Sequence, residues 1–257
     1  MIQAGQEIAQ TIRAATSRGR PALIAYLTAG FPTRQAFRDA LLQALEVADV
    51  VEIGVPFSDP MADGLTIQHS SRIALEQGTT LGRTLADMAA SRSPRSAPML
   101  LMSYLNPLLS YGPTRLAADS RLAGVSGIII PDLPFEECAE LRQLFDGEGL
   151  ALVQMVTPVT PPPRLELLAR ESRGFVYAVT MTGTTGNAVA ADGELFTYMR
   201  RVREVASVPV CAGFGIRTAA QIAALAGHVD GCIVGSALIE VLGNGQDVAA
   251  FLRGLRE

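Results

Sequence analysis

The chain has 257 residues, 49% hydrophobic and 18% charged, with a net charge of −4. That is enough apolar material for a large core and too little charge for disorder. An acidic balance with no basic tract argues against nucleic acid as the main partner, and no apolar run approaches a membrane span.

The elements are read here in chain order. Glu7 to Arg18 has a helical period ended by Gly19 and reads as an extra N-terminal helix. Ala22 to Thr28 is a strand stopped by Ala29-Gly30-Phe31-Pro32, and Thr33 caps a helix to about Ala48. Val50 to Val55 is the second strand; Thr66 to Gln77 and Thr80 to Ser91 are helices. Met99 to Tyr104 is the third strand, followed by a helical stretch, Leu108 to Ala123, interrupted at Gly112-Pro113. Gly127 to Pro131 is the fourth strand, its three consecutive isoleucines suiting a strand buried on both faces of a parallel sheet. A helix over Glu136 to Gly147 leads to the fifth strand, Ala151 to Val156, and a proline-rich loop precedes a helix from about Arg164. Phe175 to Thr180, Pro209 to Ala212 and Gly231 to Val234 are strands six to eight. They alternate with helices over Glu194 to Ala206, Thr218 to Ala226, Ser236 to Val241 and Asp247 to Arg256.

Eight alternations of strand and helix with short connections also fit an open doubly wound sheet, but such a sheet has no reason to stop at eight. A closed barrel needs no protected edge. The expected architecture is α/β: a single (β/α)8 TIM barrel with an extra N-terminal helix, one domain over residues 1–257. The polar and glycine-rich segments all follow strands, at the face where barrel active sites lie.

Composition also narrows the chemistry. Every one of the 21 basic residues is arginine, so the chain has no side-chain amine for a Schiff base with a carbonyl substrate or pyridoxal phosphate. His69 and His228 have no acid or cysteine at metal-ligand spacing, and Cys138, Cys211 and Cys232 are too scattered for a zinc cluster or a disulfide framework. No metal or cofactor is expected, and the cysteines read as core residues. With no secretory signal at the N-terminus, a reducing cytoplasm is the expected location.

The stretch from Val50 to Gly64 carries the strongest signal. Glu52 sits inside a β-branched run, where an unpaired carboxylate is costly. Asp63 follows on the loop or the entry to the next helix. Two carboxyls so placed can face one pocket as an acid–base pair; equally, Glu52 can be a hydrogen-bonded core residue and Asp63 a helix cap. Late in the chain, Gly183 to Gly186, Gly213 to Gly215 and Gly235-Ser236 end successive strands. Such loops expose backbone N–H groups and often bind phosphate in barrels, although each is also an ordinary tight turn. None contains a cation, and Arg217 reads as a solvated helix-start residue.

The run Glu-Ile-Gly-Val-Pro-Phe-Ser-Asp-Pro-Met-Ala-Asp-Gly over residues 52–64, continued by Thr66-Ile67-Gln68, resembles the signature of the tryptophan synthase alpha subunit. Further blocks resemble the family in order: residues 27–32, Ser103 to Pro107, Ile130 to Pro134, Phe175 to Tyr177, Gly183 to Gly186, Gly213 to Ile216 and Val234 to Ala237. The likeness spans essentially the whole chain.

It implies a carbon–carbon lyase of tryptophan biosynthesis, cleaving indole-3-glycerol phosphate to indole and glyceraldehyde 3-phosphate without metal or Schiff base. By resemblance, Glu52 and Asp63 are catalytic. Gly186, Gly215, Gly235 and Ser236 contact phosphate. Tyr26, Tyr104, Ile129, Tyr177 and Phe214 line the indole slot, and Thr185 closes over it. The implied partner is a pyridoxal-phosphate beta subunit in an α2β2 complex, and Pro56, Asp59 and Pro60 of the family's interface loop are present. Leu65 stands where the family usually has proline, Thr184 where it usually has valine, and Met181-Thr182 is not typical of every member. Leu65 is expected to loosen the loop carrying Asp63. The alternatives are a stand-alone lyase releasing free indole, a mainly activating non-catalytic subunit, and a phosphosugar isomerase on the same barrel.

Overall fold

Eight parallel strands close on themselves in chain order in the computed structural model, which describes residues 5–93, 97–180, 193–213 and 215–257. The first half runs α1 (Gln6–Thr16), β1 (Ala22–Thr28), α2 (Arg34–Val47), β2 (Val50–Gly54), α3 (Leu65–Glu76), α4 (Leu81–Ser91) and β3 (Met99–Met102). Next come α5 (Leu105–Tyr111), α6 (Pro113–Leu122), β4 (Val125–Ile129), a 3-10 turn (Phe135–Glu137), α7 (Ala139–Gly147) and β5 (Ala151–Val156). The remainder is α8 (Pro162–Glu171), β6 (Val176–Val179), α9 (Gly193–Val205), β7 (Val210–Gly213), α10 (Ala219–Leu225), β8 (Gly231–Val234), α11 (Ser236–Gly243) and α12 (Val248–Gly254). The sheet closes by pairing β1 with β8, Ala22 against Gly231. Among the described residues no helix is long and apolar enough to cross a membrane.

Local sequence explains most of these elements. Every residue of β1, β2, β3, β7 and β8 is buried, which is why they read as apolar runs rather than alternations. The Thr33 and Thr80 hydroxyls accept from the Ala36 and Arg83 amides at the starts of α2 and α4. Thr218 and Gln221 form a reciprocal capping box at α10. Prolines open α6 and α8, where their missing N–H costs nothing.

The strand boundaries shift by a residue or two from those expected. The largest change is at β4, which spans Val125–Ile129 rather than Gly127 to Pro131. A register irregularity between Met99 and Leu100 lets Val125 pair early, and Pro131 has no N–H to extend the ladder. Gly112 breaks the segment after β3 into α5 and α6, as its Gly-Pro pair suggests. The three cysteines are buried and free, consistent with core residues.

Helix α1 seals the N-terminal end of the barrel. A Cβ on Gly127 would stand 3.1 Å from Ile8 Cδ1 and 2.9 Å from Ala151 Cβ. The small residues of this layer therefore leave the space that fully buried Ile8 fills. At the same end Asp49 accepts from Arg20 Nη1 at 2.7 Å, Arg20 Nη2 at 2.9 Å and the Leu23 amide at 2.8 Å, and pairs with Arg256 at 3.0 Å. It ties the strand region to the C-terminal segment. The opposite end is left to the strand-to-helix loops.

Candidate active site

The strand register builds the floor of the site. Partners across parallel strands face the same side of the sheet. Tyr26 of β1 lies opposite Glu52 of β2, Glu52 opposite Leu100 of β3, and Leu100 opposite Gly127 of β4, two residues before Ile129. From the other side Ile129 pairs with Val153, Met155 with Tyr177, and Tyr177 with Cys211. That face is the barrel interior, because Tyr177 on β6 feels the charges of Glu52 on β2 and Tyr26 on β1, and of Asp63 beyond β2. Glycines make room for the aromatic rings. A Cβ on Gly213 would meet the Tyr177 ring at 2.4 Å, and one on Gly54 the Tyr26 hydroxyl at 2.1 Å.

Glu52 is 1% exposed, and among the described residues neither of its carboxylate oxygens has a hydrogen-bond partner. Burial, followed by the negative charge of Asp63, raises its pKa to about 8. Among the described residues, nothing satisfies Glu52 as a hydrogen-bonded core residue would be satisfied.

Asp63 lies in the turn between β2 and α3. Its amide donates to the Pro60 carbonyl at 3.1 Å, and its carbonyl accepts from Gln68 Nε2 at 2.8 Å. Its carboxylate accepts from the Tyr104 hydroxyl at 3.2 Å, and that hydroxyl accepts from the Ala62 amide at 2.9 Å. Burial raises the Asp63 pKa to about 6, against the opposing effect of the Tyr104 bond. The residue is not a helix cap: Gly64 holds the N-cap position of α3, with no side-chain capping bond. The Asp63 loop is held by backbone and side-chain bonds, and Leu65 after it is the first residue of α3 and 77% exposed.

Apolar walls flank the two acids. Tyr26, Tyr104 and Tyr177 are buried, Ile129 completely so, and Phe57 stacks on Tyr104 with centroids 5.2 Å apart. Leu100 and Met102, on the same face of β3, belong to this lining and were not singled out from the sequence. Two-residue spacing puts them on one face of β3 in the sequence, but which face required the register that aligns Leu100 with Glu52. Thr185, Gly186 and Phe214, with Met181 to Thr184, lie outside the described residues.

At the other edge, Gly235 is the N-cap residue of α11 and Ser236 its first residue. The first intrahelical bond runs from the Ile239 amide to the Gly235 carbonyl, so the helix makes no use of the N–H groups of residues 236–238. Such a terminus favours anions. A Cβ on Gly235 would lie 3.6 Å from the Tyr26 side chain, which places this terminus beside the aromatic slot. Gly215, in the loop after β7, has φ 78°, a conformation open to glycine. Arg217 pairs with Glu240 at the helix edge, as a solvated residue does. His228 is exposed and stacks on Phe196, and His69 lies within α3, 3.5 Å from Arg72; neither belongs to the acid pair.

Comparison with known proteins agrees with this geometry. Residues 12–253 match the family model described as tryptophan synthase alpha chain. The chain is 44% identical to the tryptophan synthase alpha chain of Nitratidesulfovibrio vulgaris, with 96% of each covered, and 42% identical to that of Geobacter sulfurreducens, with 97% of each covered. Among solved structures, tryptophan synthase from M. tuberculosis superimposes with a TM-score of 0.88 at 33% identity, covering 97% of both chains. The tryptophan synthase a2b2 complex from Pyrococcus furiosus gives 0.85 at 35% identity, covering 93% of this chain and 98% of that one. Matched over nearly its whole length in sequence and in its closed eight-stranded barrel, this chain belongs to the tryptophan synthase alpha chain family.

Proposed function

We propose that this chain cleaves indole-3-glycerol phosphate to indole and glyceraldehyde 3-phosphate by a retro-aldol reaction. The observation that carries the reading is Glu52: a carboxyl without a hydrogen-bond partner among the described residues, with a pKa raised to about 8, inside an aromatic slot and next to Asp63. Such a group keeps its proton near neutrality and can deliver it to carbon.

Glu52 protonates the indole ring carbon that bears the glycerol chain, giving an indolenine. Asp63, ionised above about 6, accepts a hydrogen bond from the indole N–H and stabilises the developing positive charge. The Glu52 carboxylate then removes the proton of the glycerol hydroxyl next to the ring. The carbon–carbon bond breaks, its electrons restore the aromatic indole, and the hydroxyl carbon becomes the aldehyde. Glu52 ends protonated, ready for the next cycle. Tyr26, Tyr104, Ile129 and Tyr177, with Phe214, hold the flat ring, and Thr185 closes the slot. Gly215, Gly235 and Ser236, with Gly186, take the phosphate through backbone N–H groups.

A beta subunit is the proposed partner, in an α2β2 assembly like that of the Pyrococcus furiosus relative. Met61 and Leu65, 87% and 77% exposed around Asp63, and Leu109, 50% exposed on α5, supply apolar contact near the site. Release of indole is measured for the purified chain, alone and with a beta subunit from the same source. The expected result is slow turnover alone, a large increase on mixing, and a loss of about 100-fold or more in the Glu52→Gln variant. No indole in either mixture overturns the reaction. Fast turnover unchanged on mixing overturns the partner.

A further inference from the structure

Helices α2, α4, α10 and α12 are entered through a capping side chain: Thr33, Thr80, Thr218 and Asp247 each accept from an amide of the first turn. Helix α3 is not. Its N-cap is Gly64, with no side-chain capping bond, and the residue before that glycine is Asp63. Glycine is the most permissive residue at such a joint. The entry is held from inside the helix instead. The Gln68 amide closes the first turn on the Gly64 carbonyl at 2.9 Å, and Gln68 Nε2 reaches back past the cap to the Asp63 carbonyl at 2.8 Å. A carbonyl can only accept, so the side-chain nitrogen must face it. At α10 the polarity is opposite: the Gln221 side-chain oxygen accepts from the amide of the cap residue Thr218.

Asp63 has few other ties. Its amide donates to Pro60, which lies in the same loop and moves with it. Its carboxylate accepts from Tyr104 at 3.2 Å, and Tyr104 accepts from the Ala62 amide. Among the described residues, Gln68 makes the one hydrogen bond from a helix or strand to the Asp63 main chain. Packing adds little, since Met61, Ala62 and Leu65 are exposed. The anchor itself is firm: Ile67, Ser70, Ser71 and Ala74 are buried on α3, which packs on β1 and α11.

We propose that Gln68 is a positioning residue for Asp63, pinning the main chain of that acid across the Gly64 joint so that its carboxylate stays at Tyr104 and the slot. With the peptide fixed, the carboxylate can move only about its own two side-chain torsions. Without the bond, the peptide plane can turn at Gly64 and carry the carboxylate away. The effect on turnover rests on the reading of Asp63 as the group that stabilises charge on the indole ring; the effect on the contact between Asp63 and Tyr104 does not.

The test uses Gln68→Met, which keeps the length and loses the donor, and Gln68→Glu, which keeps the shape and, when ionised, can only accept. The 5 tyrosines of the chain are labelled with carbon-13 at the phenol carbon, and Tyr104→Phe identifies the Tyr104 signal. Both Gln68 variants should shift that signal and leave those of Tyr111, Tyr177 and Tyr198 in place. A Tyr104 signal unmoved in both variants overturns the proposal. So does movement of all five signals, which would mean a general loosening of the fold. In steady-state indole release both variants should lower kcat about 10-fold or more, because a displacement of about 1 Å weakens a group that acts in the transition state. KM should stay within about threefold, since the slot and the phosphate site are unaltered. An unchanged kcat, or a loss carried by KM, overturns the role in turnover. Absence of indole from the unaltered chain, with the Tyr104 signal shifted in the variants, defeats the reaction alone. Normal indole release by the variants, with the signal unmoved, defeats the positioning role alone.

Discussion

Removing water from around a carboxyl disfavours its charged form, and the two acids of this site feel that to different degrees. Among the described residues Glu52 has no compensating bond, whereas Asp63 keeps one from Tyr104. The proposed chemistry uses Glu52 protonated and Asp63 ionised. The expected kcat/KM profile for indole-3-glycerol phosphate is therefore a bell, rising through about 6 and falling through about 8, with both midpoints belonging to the pair. Asp63→Asn should remove the lower limb and, by removing a neighbouring negative charge, move the upper limb to lower pH. Stability follows the same proton. The folded-state pKa of Glu52 is raised, so the native state binds more protons than the unfolded chain between 4.5 and about 8. Stability falls as pH rises through that window and stays lowered above it. Glu52→Gln should therefore melt a few degrees higher than the unaltered chain at pH 8.5, with the difference shrinking towards pH 5, as followed by thermal unfolding.

At the scale of the element, α3 holds the loop that carries one of the two acids. Its N-terminal end follows Asp63, and Ser70 in its second turn holds Thr28. Leu65 fills the first helical position, where proline is usually favoured because that N–H has no intrahelical partner. Gly64 before it is extended, φ −80° and ψ 168°, as a residue preceding proline must be. Leu65→Pro should thus stabilise the chain by about 0.4–1 kcal/mol, through a less flexible unfolded state, while turnover by the chain alone is preserved. Thermal unfolding and steady-state kinetics check both parts. A lower melting temperature would show that the Leu65 backbone does not suit proline.

For the whole molecule, closure of the barrel is secured at the end away from the chemistry. Burial alone would raise the Asp49 pKa, but Arg20, the Leu23 amide and Arg256 outweigh it and hold it below the ordinary 3.8. The sign is opposite to that of Glu52: this stabilisation is present above the unfolded value and lost as pH falls through the folded one. Asp49→Asn should cost about 1–3 kcal/mol at pH 7, with the gap closing below pH 4, as read from denaturant unfolding. Activity per folded molecule should not change, because Asp49 lies at the sealed end.

The sequence by itself determined whatever local periodicity and residue chemistry can record. Apolar runs ending in glycine or proline marked the strands, threonines marked helix starts, and the absence of lysine excluded a Schiff-base amine on the chain. An acid inside a β-branched run marked Glu52. Only the tertiary structure decided the rest, because those facts depend on residues far apart in the chain. Register across β2 and β3 puts Leu100 beside Glu52, and an irregularity in β3 moves the start of β4. Gly64 rather than Asp63 caps α3, leaving the aspartate for the pocket. Above all, whether Glu52 is satisfied or left without a donor depends on what the closed barrel packs around it. Among the described residues no group donates to it, and that depends on contacts that exist only once the chain has folded.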